Sequence, residues 1–346
     1  MMVIGIDAHK CSHTAVSVDD MGRQRATKTV GTTTRDHLRL LQWAASLDGE
    51  RLWAIEDCRH LTRRLERDLI AAGESVVRVC PKLMADVRDS ARTYGKSDPI
   101  DALAVARAAL REPDLPVARL DGVERELRLL VDHREDLVAE RTRIISRLRW
   151  HLHELDPGWT PRAKMERASA FDAVAAHLGA CGQGGTLVGR LALRLVEHLR
   201  VLTLEIDELT TEITERVAKV APSLLAIVGC GALTAAKIVG ETAQVSRFRS
   251  KDAFARLNGT APLPVWSSNK QRHRLSRTGN RQLNAALHRI AMTQARMHPP
   301  ARELLARRKS NGDGGMEALR VLKRRLSDVV YRAMLTDQNQ SSPVPA

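Results

Sequence analysis

The sequence predicts an α/β domain followed by a mainly α-helical remainder, on three observations. Short apolar runs alternate with amphipathic helical segments through residue 115. Two long stripes of apolar residues at heptad spacing come next. The last third is again helical in pattern, and it holds the entire surplus of positive charge.

The elements follow in order. Val3 to Asp7, His13 to Val18 and Gln24 to Val30 read as three antiparallel strands, with Gly22 in the second turn and polar residues interleaved among Thr14, Val16 and Val18. Arg35 to Leu47 reads as a helix, Leu52 to Glu56 as a strand, Leu61 to Ala72 as a helix and Val76 to Val79 as a strand ending before Pro81. Lys82 to Ala91 and Asp98 to Arg111 then read as helices. Three strands followed by alternating helices and strands is the order of the ribonuclease-H-like fold.

From Val123 the period changes. Val123, Leu127, Leu130, Leu137, Ile144 and Leu148 form one stripe, broken by Arg134 and Arg141 at core-type positions. Val188, Leu191, Leu195, Leu199, Leu202, Ile206, Leu209 and Ile213 form a second, with a Pro- and Gly-containing turn region from Asp156 to Gly185 between them. Two antiparallel helices in a coiled-coil hairpin, able to pair with another subunit, is the economical reading; plain packing onto a flanking domain is the other. Leu224 to Ala236, with Gly229-Cys230-Gly231 in the middle, reads as a helix-hairpin-helix-like start to a basic, mainly helical domain. The expected domains are therefore residues 1–115, 116–220 and 221–335, with a disordered Ser- and Pro-containing tail at 336–346.

Charge narrows the class of partner. Lys and Arg total 55 against 41 Asp and Glu, a net +14. From Ala221 onward there are 21 basic and 7 acidic residues, which leaves 34 of each sign before it. A basic domain joined to a charge-balanced one suits a phosphate backbone. Five scattered cysteines without a C-x-x-C pair argue against a disulfide framework or a zinc-cysteine site, and for a reducing compartment. No apolar run is long enough to span a bilayer, so a soluble intracellular protein is expected, with no membrane partner.

Four carboxylates carry the chemistry. Asp7 and Glu56 end strand-like runs, and Asp98 and Asp101 lie at i and i+3 at the start of a helix, pointing to one side. The spacings along the chain are 49, 42 and 3. Each residue alone is as well explained as a strand end or cap. As a set on an alternating pattern they suit a divalent metal, because Mg²⁺ or Mn²⁺ needs oxygen ligands and stabilises the oxygens of a phosphoryl transfer. Farther on, Ser267 and Ser268 stand among Lys270, Arg272, Arg274, Arg277 and Arg281. Such serines are either solvated loop hydroxyls or a nucleophile for a phosphodiester whose charge the arginines neutralise.

Gly5-Ile6-Asp7-Ala8-His9-Lys10, Glu56 and Lys96-Ser97-Asp98-Pro99-Ile100-Asp101-Ala102 resemble the G-x-D-x-H-K, Glu and K-[ST]-D-x-x-D-A blocks of the DEDD transposases, and more narrowly the insertion-sequence one-hundred-and-ten family. That family's C-terminal domain carries stretches similar to Leu257-Asn258-Gly259-Thr260-Ala261-Pro262, Arg272-His273-Arg274-Leu275 and Gly279-Asn280-Arg281-Gln282-Leu283-Asn284. Its Ser-Ser-Gly lies over Trp266-Ser267-Ser268, which places the usual second serine on Ser267 and leaves Ser268 in place of the glycine.

The resemblance implies a RuvC-like N-terminal domain whose Asp7, Glu56, Asp98 and Asp101 hold Mg²⁺ or Mn²⁺ and activate DNA. It also implies a serine that forms a covalent phosphoserine link, making the protein a recombinase rather than a simple nuclease. A tetramer or dimer and a structured, element-encoded guide RNA pairing with donor and target DNA are further implications, in a cytoplasmic bacterial setting. The runner-up is a Holliday-junction-type nuclease using a metal-activated water.

Overall fold

The computed structural model describes residues 1–47, 49–56, 61–79, 81, 83–84, 97–112, 115, 117–118, 122–267, 270–274 and 279–341; residues 264–267, 270–274 and 341 are described by backbone only. They group into two compact units, each made of two segments: 1–122 with 245–281, and 123–244 with 282–346. The expected 221–335 domain is thus divided between the two units.

The first segment contains β1 (Met2–Ala8), β2 (His13–Val18), β3 (Gln24–Val30), α1 (Thr34–Ala45), β4 (Arg51–Glu56), α2 (Arg63–Ala71), β5 (Val76–Val79) and α3 (Asp98–Arg111). Among the described residues the strands form one mixed sheet in the order β3-β2-β1-β4-β5. β1 runs antiparallel to β2 and parallel to β4, as the ribonuclease-H-like, RuvC-like reading requires. Most of the helix expected over Lys82 to Ala91 lies outside the described residues.

Alternation along the strands decides which side each residue serves. Ile4, Ile6, Trp53 and Ile55 pack with Leu40 of α1 and with Leu65 and Leu69 of α2. Val3 and Ala54 pack on the other face with Ala102, Val105 and Ala106 of α3. Asp7 and Glu56 share the parity of that second set, so both strands deliver their last carboxylate to the side that α3 covers. Burial of the large side chains, each contributing about 1.5–3 kcal/mol, makes a register slip costly and so fixes this choice of face.

The second unit begins with α4 (Val123–Leu155), α5 (Ala168–Ala180), α6 (Leu187–Val220), α7 (Pro222–Leu225) and α8 (Ala232–Thr242). α4 and α6 pair antiparallel: Glu126, Arg134 and Arg141 meet Arg216, Thr210 and Thr203, one index rising as the other falls. The two arginines that interrupt the stripe are accommodated by threonines, Arg134 Nε donating to Thr210 Oγ1 at 2.6 Å and Arg141 Nη1 to Thr203 Oγ1 at 3.5 Å. The connection expected to be a turn region contains α5, whose Phe171, Val174 and Leu178 join the core of the α4–α6 pair. With Ala170 these residues are buried as one helix face, a pattern masked by the flanking glycines.

In the helix-hairpin-helix-like stretch, α7 is a single turn. The chain then bends at Gly229, whose φ of +87° suits glycine, and Gly231 caps α8. Gln294 Nε2 donates to Val228 O at 2.9 Å and holds the bend.

After α8 the chain forms α9 (Lys251–Leu257) and a two-stranded hairpin, β6 (Leu263–Ser267) with β7 (Lys270–Arg274), in the first unit. α10 (Arg281–Met297), α11 (Pro299–Ser310) and α12 (Gly315–Ser341) complete the chain. The tail expected to be disordered from 336 is helical through Ser341. Met334 and Asp337 are buried there, and Asp337 Oδ1 accepts the Ser223 N–H at 3.0 Å, an anchor that polar composition alone does not reveal.

Candidate metal centre

The centre is built where β1 and β4 end beneath α3. Glycine at position 5 lets α3 approach: a Cβ there would lie 2.1 Å from Ala102 O and 2.5 Å from Ala106 N. The helix therefore rests directly on the β1 backbone, and its first turn reaches Asp7, two residues along the strand. Ser97 is the N-cap and Asp98 the first helical residue, so the Asp98 side chain is not spent on capping. Asp98 and Asp101 also benefit from the positive end of the helix dipole.

Asp7, His9 and Asp98 bring ligand atoms within 4.8 Å of one another. His9 Nε2 lies 3.0 Å from Asp7 Oδ2 and 3.3 Å from Asp98 Oδ1. Asp101, one turn on, is buried, and its charge bears on Asp7. Glu56 ends β4 beside the end of β1, one residue beyond the Ile6–Ile55 pair.

Electrostatics fit the donor set to a dication. Burial pushes the Asp7 carboxyl above its ordinary value; His9 pulls it down, and Asp101 and Asp98 push it up again. The Asp7 carboxylate beside His9 raises the imidazole in turn, ahead of the opposing effect of burial and the added charge of Asp98. His9 thus stands between two crowded carboxylates. Oxygen donors with that repulsion suit Mg²⁺ or Mn²⁺, which would be held by Asp7, Asp98, Asp101 and Glu56. The expectation singled out the four acids but not His9, although strand parity places residue 9 on the same side as residue 7.

The serine segment has a defined frame. Ser267 is the last residue of β6 and pairs with Lys270, the first of β7, so its backbone is held in a strand pair. Arg272 and Arg274 lie on β7, opposite Val265 and Leu263. Ser268 and Arg277 fall outside the described residues, and Arg281 opens α10 on the surface. The two ends of the segment are clasped together: a Cβ on Gly279 would meet Gly259 N at 2.3 Å, and Asn280 N–H donates to Leu257 O at 2.5 Å. Asn258 is fully buried, its Oδ1 accepting from Thr260 Oγ1 at 2.6 Å and Thr260 N at 3.1 Å. That clasp was not foreseen, although both of its glycines stand in the motifs that carry the resemblance.

Residues 4–157 match the family model DEDD_Tnp_IS110, described as "Transposase", and residues 221–306 match "Transposase IS116/IS110/IS902 family". The "Insertion element IS116 uncharacterized 44.8 kDa protein" of Streptomyces clavuligerus is 27% identical over 99% of this chain and 96% of its own length. The "Insertion element IS900 uncharacterized 42 kDa protein" of Mycobacterium paratuberculosis is 28% identical over 96% of this chain and 95% of its own. Two solved structures of Thermus thermophilus RuvC, one in complex with a Holliday junction substrate, are 16% and 17% identical, with TM-scores of 0.27 and 0.28. Each covers 34% of this chain, and 99% and 100% of the RuvC chain respectively. With both family matches in their expected order along one chain, the protein belongs to the IS110 family of transposases, enzymes that act on DNA.

Proposed function

We propose that this transposase is a site-directed DNA recombinase that cuts and rejoins strands through a covalent phosphoserine link to DNA. The observation that carries the reading is the convergence of Asp7 and Asp98 on one side of the sheet, with Asp101 one helical turn on and Glu56 at the end of the neighbouring strand, in a chain that also holds Ser267 within its second matched region. A bound Mg²⁺ or Mn²⁺ supplies charge neutralisation at the scissile phosphate.

The protein's own groups do the rest. The serine Oγ attacks phosphorus, a P–O bond to one deoxyribose breaks, and that oxygen leaves as a hydroxyl after taking a proton. Attack on the phosphoserine by the hydroxyl of another strand reverses the exchange and returns the proton to the serine, so no external energy is required. Lys270, Arg272, Arg274, Arg277 and Arg281 neutralise the backbone around the serine. A structured, element-encoded RNA would choose the sites by base pairing, leaving backbone and shape recognition to the basic protein. Assembly as a dimer or tetramer would bring two half-sites together, in a bacterial cytoplasm.

The test uses a labelled nicked substrate and looks for protein–DNA adducts on a denaturing gel. Ser267→Ala is expected to abolish the adduct, with Ser268→Ala retaining it; the reverse pattern would move the nucleophile to Ser268. Strand cleavage that survives replacement of both serines would mean a water nucleophile and sink the proposal. Sequencing RNA that copurifies with the protein tests guidance, for which one discrete element-encoded species is expected and random host fragments are the contrary result.

A further inference from the structure

The tertiary fold assembles a second set of ligands that the cysteine spacing argued against. His177 and Cys181 are four residues apart at the C-terminal end of α5, so both face one side of the helix. Asp156, just past α4, folds against them. His177 Nε2 lies 3.0 Å from Asp156 Oδ2, and Cys181 Sγ lies 3.7 Å from the same Nε2 and 3.8 Å from Nδ1. All three ligand atoms fall within 4.8 Å of one another.

We propose that Asp156, His177 and Cys181 form a binding site for a borderline transition-metal dication, Zn²⁺ above all, separate from the carboxylate centre. Zinc–ligand bonds of about 2.0–2.3 Å at tetrahedral angles put donor atoms roughly 3.3–3.6 Å apart. The observed 3.0 and 3.7 Å straddle that range, so a metal closes the site with small side-chain shifts. The mixed O, N, S set selects against Mg²⁺, which takes oxygen, and a three-ligand site leaves a position for water.

Two features hold the ligands ready. Trp159 stacks flat on the His177 ring, with centroids 3.9 Å apart and planes 2° from parallel, which fixes the ring orientation. Gly158 N–H donates to Asp156 Oδ1 at 3.2 Å and leaves Oδ2 turned to the histidine. Such support of ligands by fixed neighbours is what tunes metal affinity. A hydrogen-bonded Cys-His-Asp triad fits less well. Its thiol should align with one ring nitrogen, whereas Sγ stands nearly equidistant from both. Metal binding would tie the end of α4 to α5 and release the thiol proton.

The experiment is a Co²⁺ titration of the chelator-treated full-length protein, with excess Mg²⁺ present to occupy the carboxylate centre, read by the thiolate-to-cobalt band in the near ultraviolet. One equivalent should generate the band and Zn²⁺ should erase it. Cys181→Ser should remove it, Cys11→Ser should keep it, and His177→Ala should weaken binding at least about tenfold. No band in the wild-type protein, or a band that survives Cys181→Ser, overturns the proposal. Loss of the band in Cys11→Ser would assign the thiol to the other centre and overturn it equally.

Discussion

Gly5 and Ala102 touch backbone to backbone: a methyl group on Gly5 would stand 2.1 Å from the Ala102 carbonyl oxygen. This contact sets the height of α3 above β1 and, with it, the distance from Asp98 and Asp101 to Asp7.

Gly5→Ala is therefore expected to cost about 1–3 kcal/mol in overpacking, or more if the helix cannot retreat. It should also weaken metal binding, since lifting α3 parts the carboxylates. Urea denaturation and Mn²⁺ titration of the same sample check both effects. Wild-type stability with wild-type Mn²⁺ affinity would show that the contact does not position the site.

The crowded carboxylates make a linked prediction. Asp7 is disfavoured as an anion by burial, so its charge costs stability at neutral pH, a cost that is absent below the ordinary value of 3.8 and complete above the raised folded value. Asp7→Asn should raise the melting temperature of the metal-free protein and abolish Mg²⁺-dependent cleavage. The wild-type protein should gain about 2.7 kcal/mol at a hundredfold excess of Mg²⁺ over its Kd, and the variant far less. Thermal melts with and without Mg²⁺ at equal ionic strength measure this, and equal shifts in the two proteins would contradict it.

A buried histidine on β2 predicts the acid limb of stability. Burial, with smaller contributions from His37 and His9, lowers the pKa of His13 from 6.5 to about 4. His13 is 1% exposed and its ring lies 5.4 Å from that of His37, whose Nδ1 is 2.7 Å from Asp68 Oδ2. The unfolded chain binds a proton that the folded one refuses, so this contribution is whole above pH 6.5 and falls away as the pH drops towards 4. The loss amounts to at most about 3.4 kcal/mol. Urea midpoints across that range should be flatter for His13→Gln; an unchanged slope would assign the acid limb elsewhere.

In the second unit, Lys237 of α8 is 2% exposed and donates to Asp132 at 3.1 Å and Glu135 at 2.8 Å on α4. Lys237→Ala removes the cation that the two partly exposed carboxylates share, leaving Asp132 the more distant Arg128 Nε at 3.8 Å, and should cost about 2–3 kcal/mol, discounted for solvent at the acids. Lys237→Ala combined with Asp132→Asn and Glu135→Gln should recover part of it. Chemical denaturation decides, and a triple variant no more stable than the single one would mean that packing rather than charge is lost.

The sequence by itself determined the strand and helix order of the first domain, since periods of 2 and 3.6 are local properties of side-chain patterning. It likewise marked Asp7, Glu56, Asp98 and Asp101, because carboxylates at strand ends and a helix start are visible as spacing. What only the tertiary structure decided depends on approach between distant segments. Gly5 sets the seat of α3, His9 bridges Asp7 to Asp98, and Gly279 rests against Gly259 to close the base of the serine hairpin. Arg134 and Arg141, which looked like breaks in a stripe, became tolerable seam residues once Thr210 and Thr203 stood opposite. Asp156 came to His177 and Cys181 across 21 residues that the chain had to fold into a turn and a helix. Local propensity carries no record of such meetings, because their energy comes from partners that only the folded chain brings within reach.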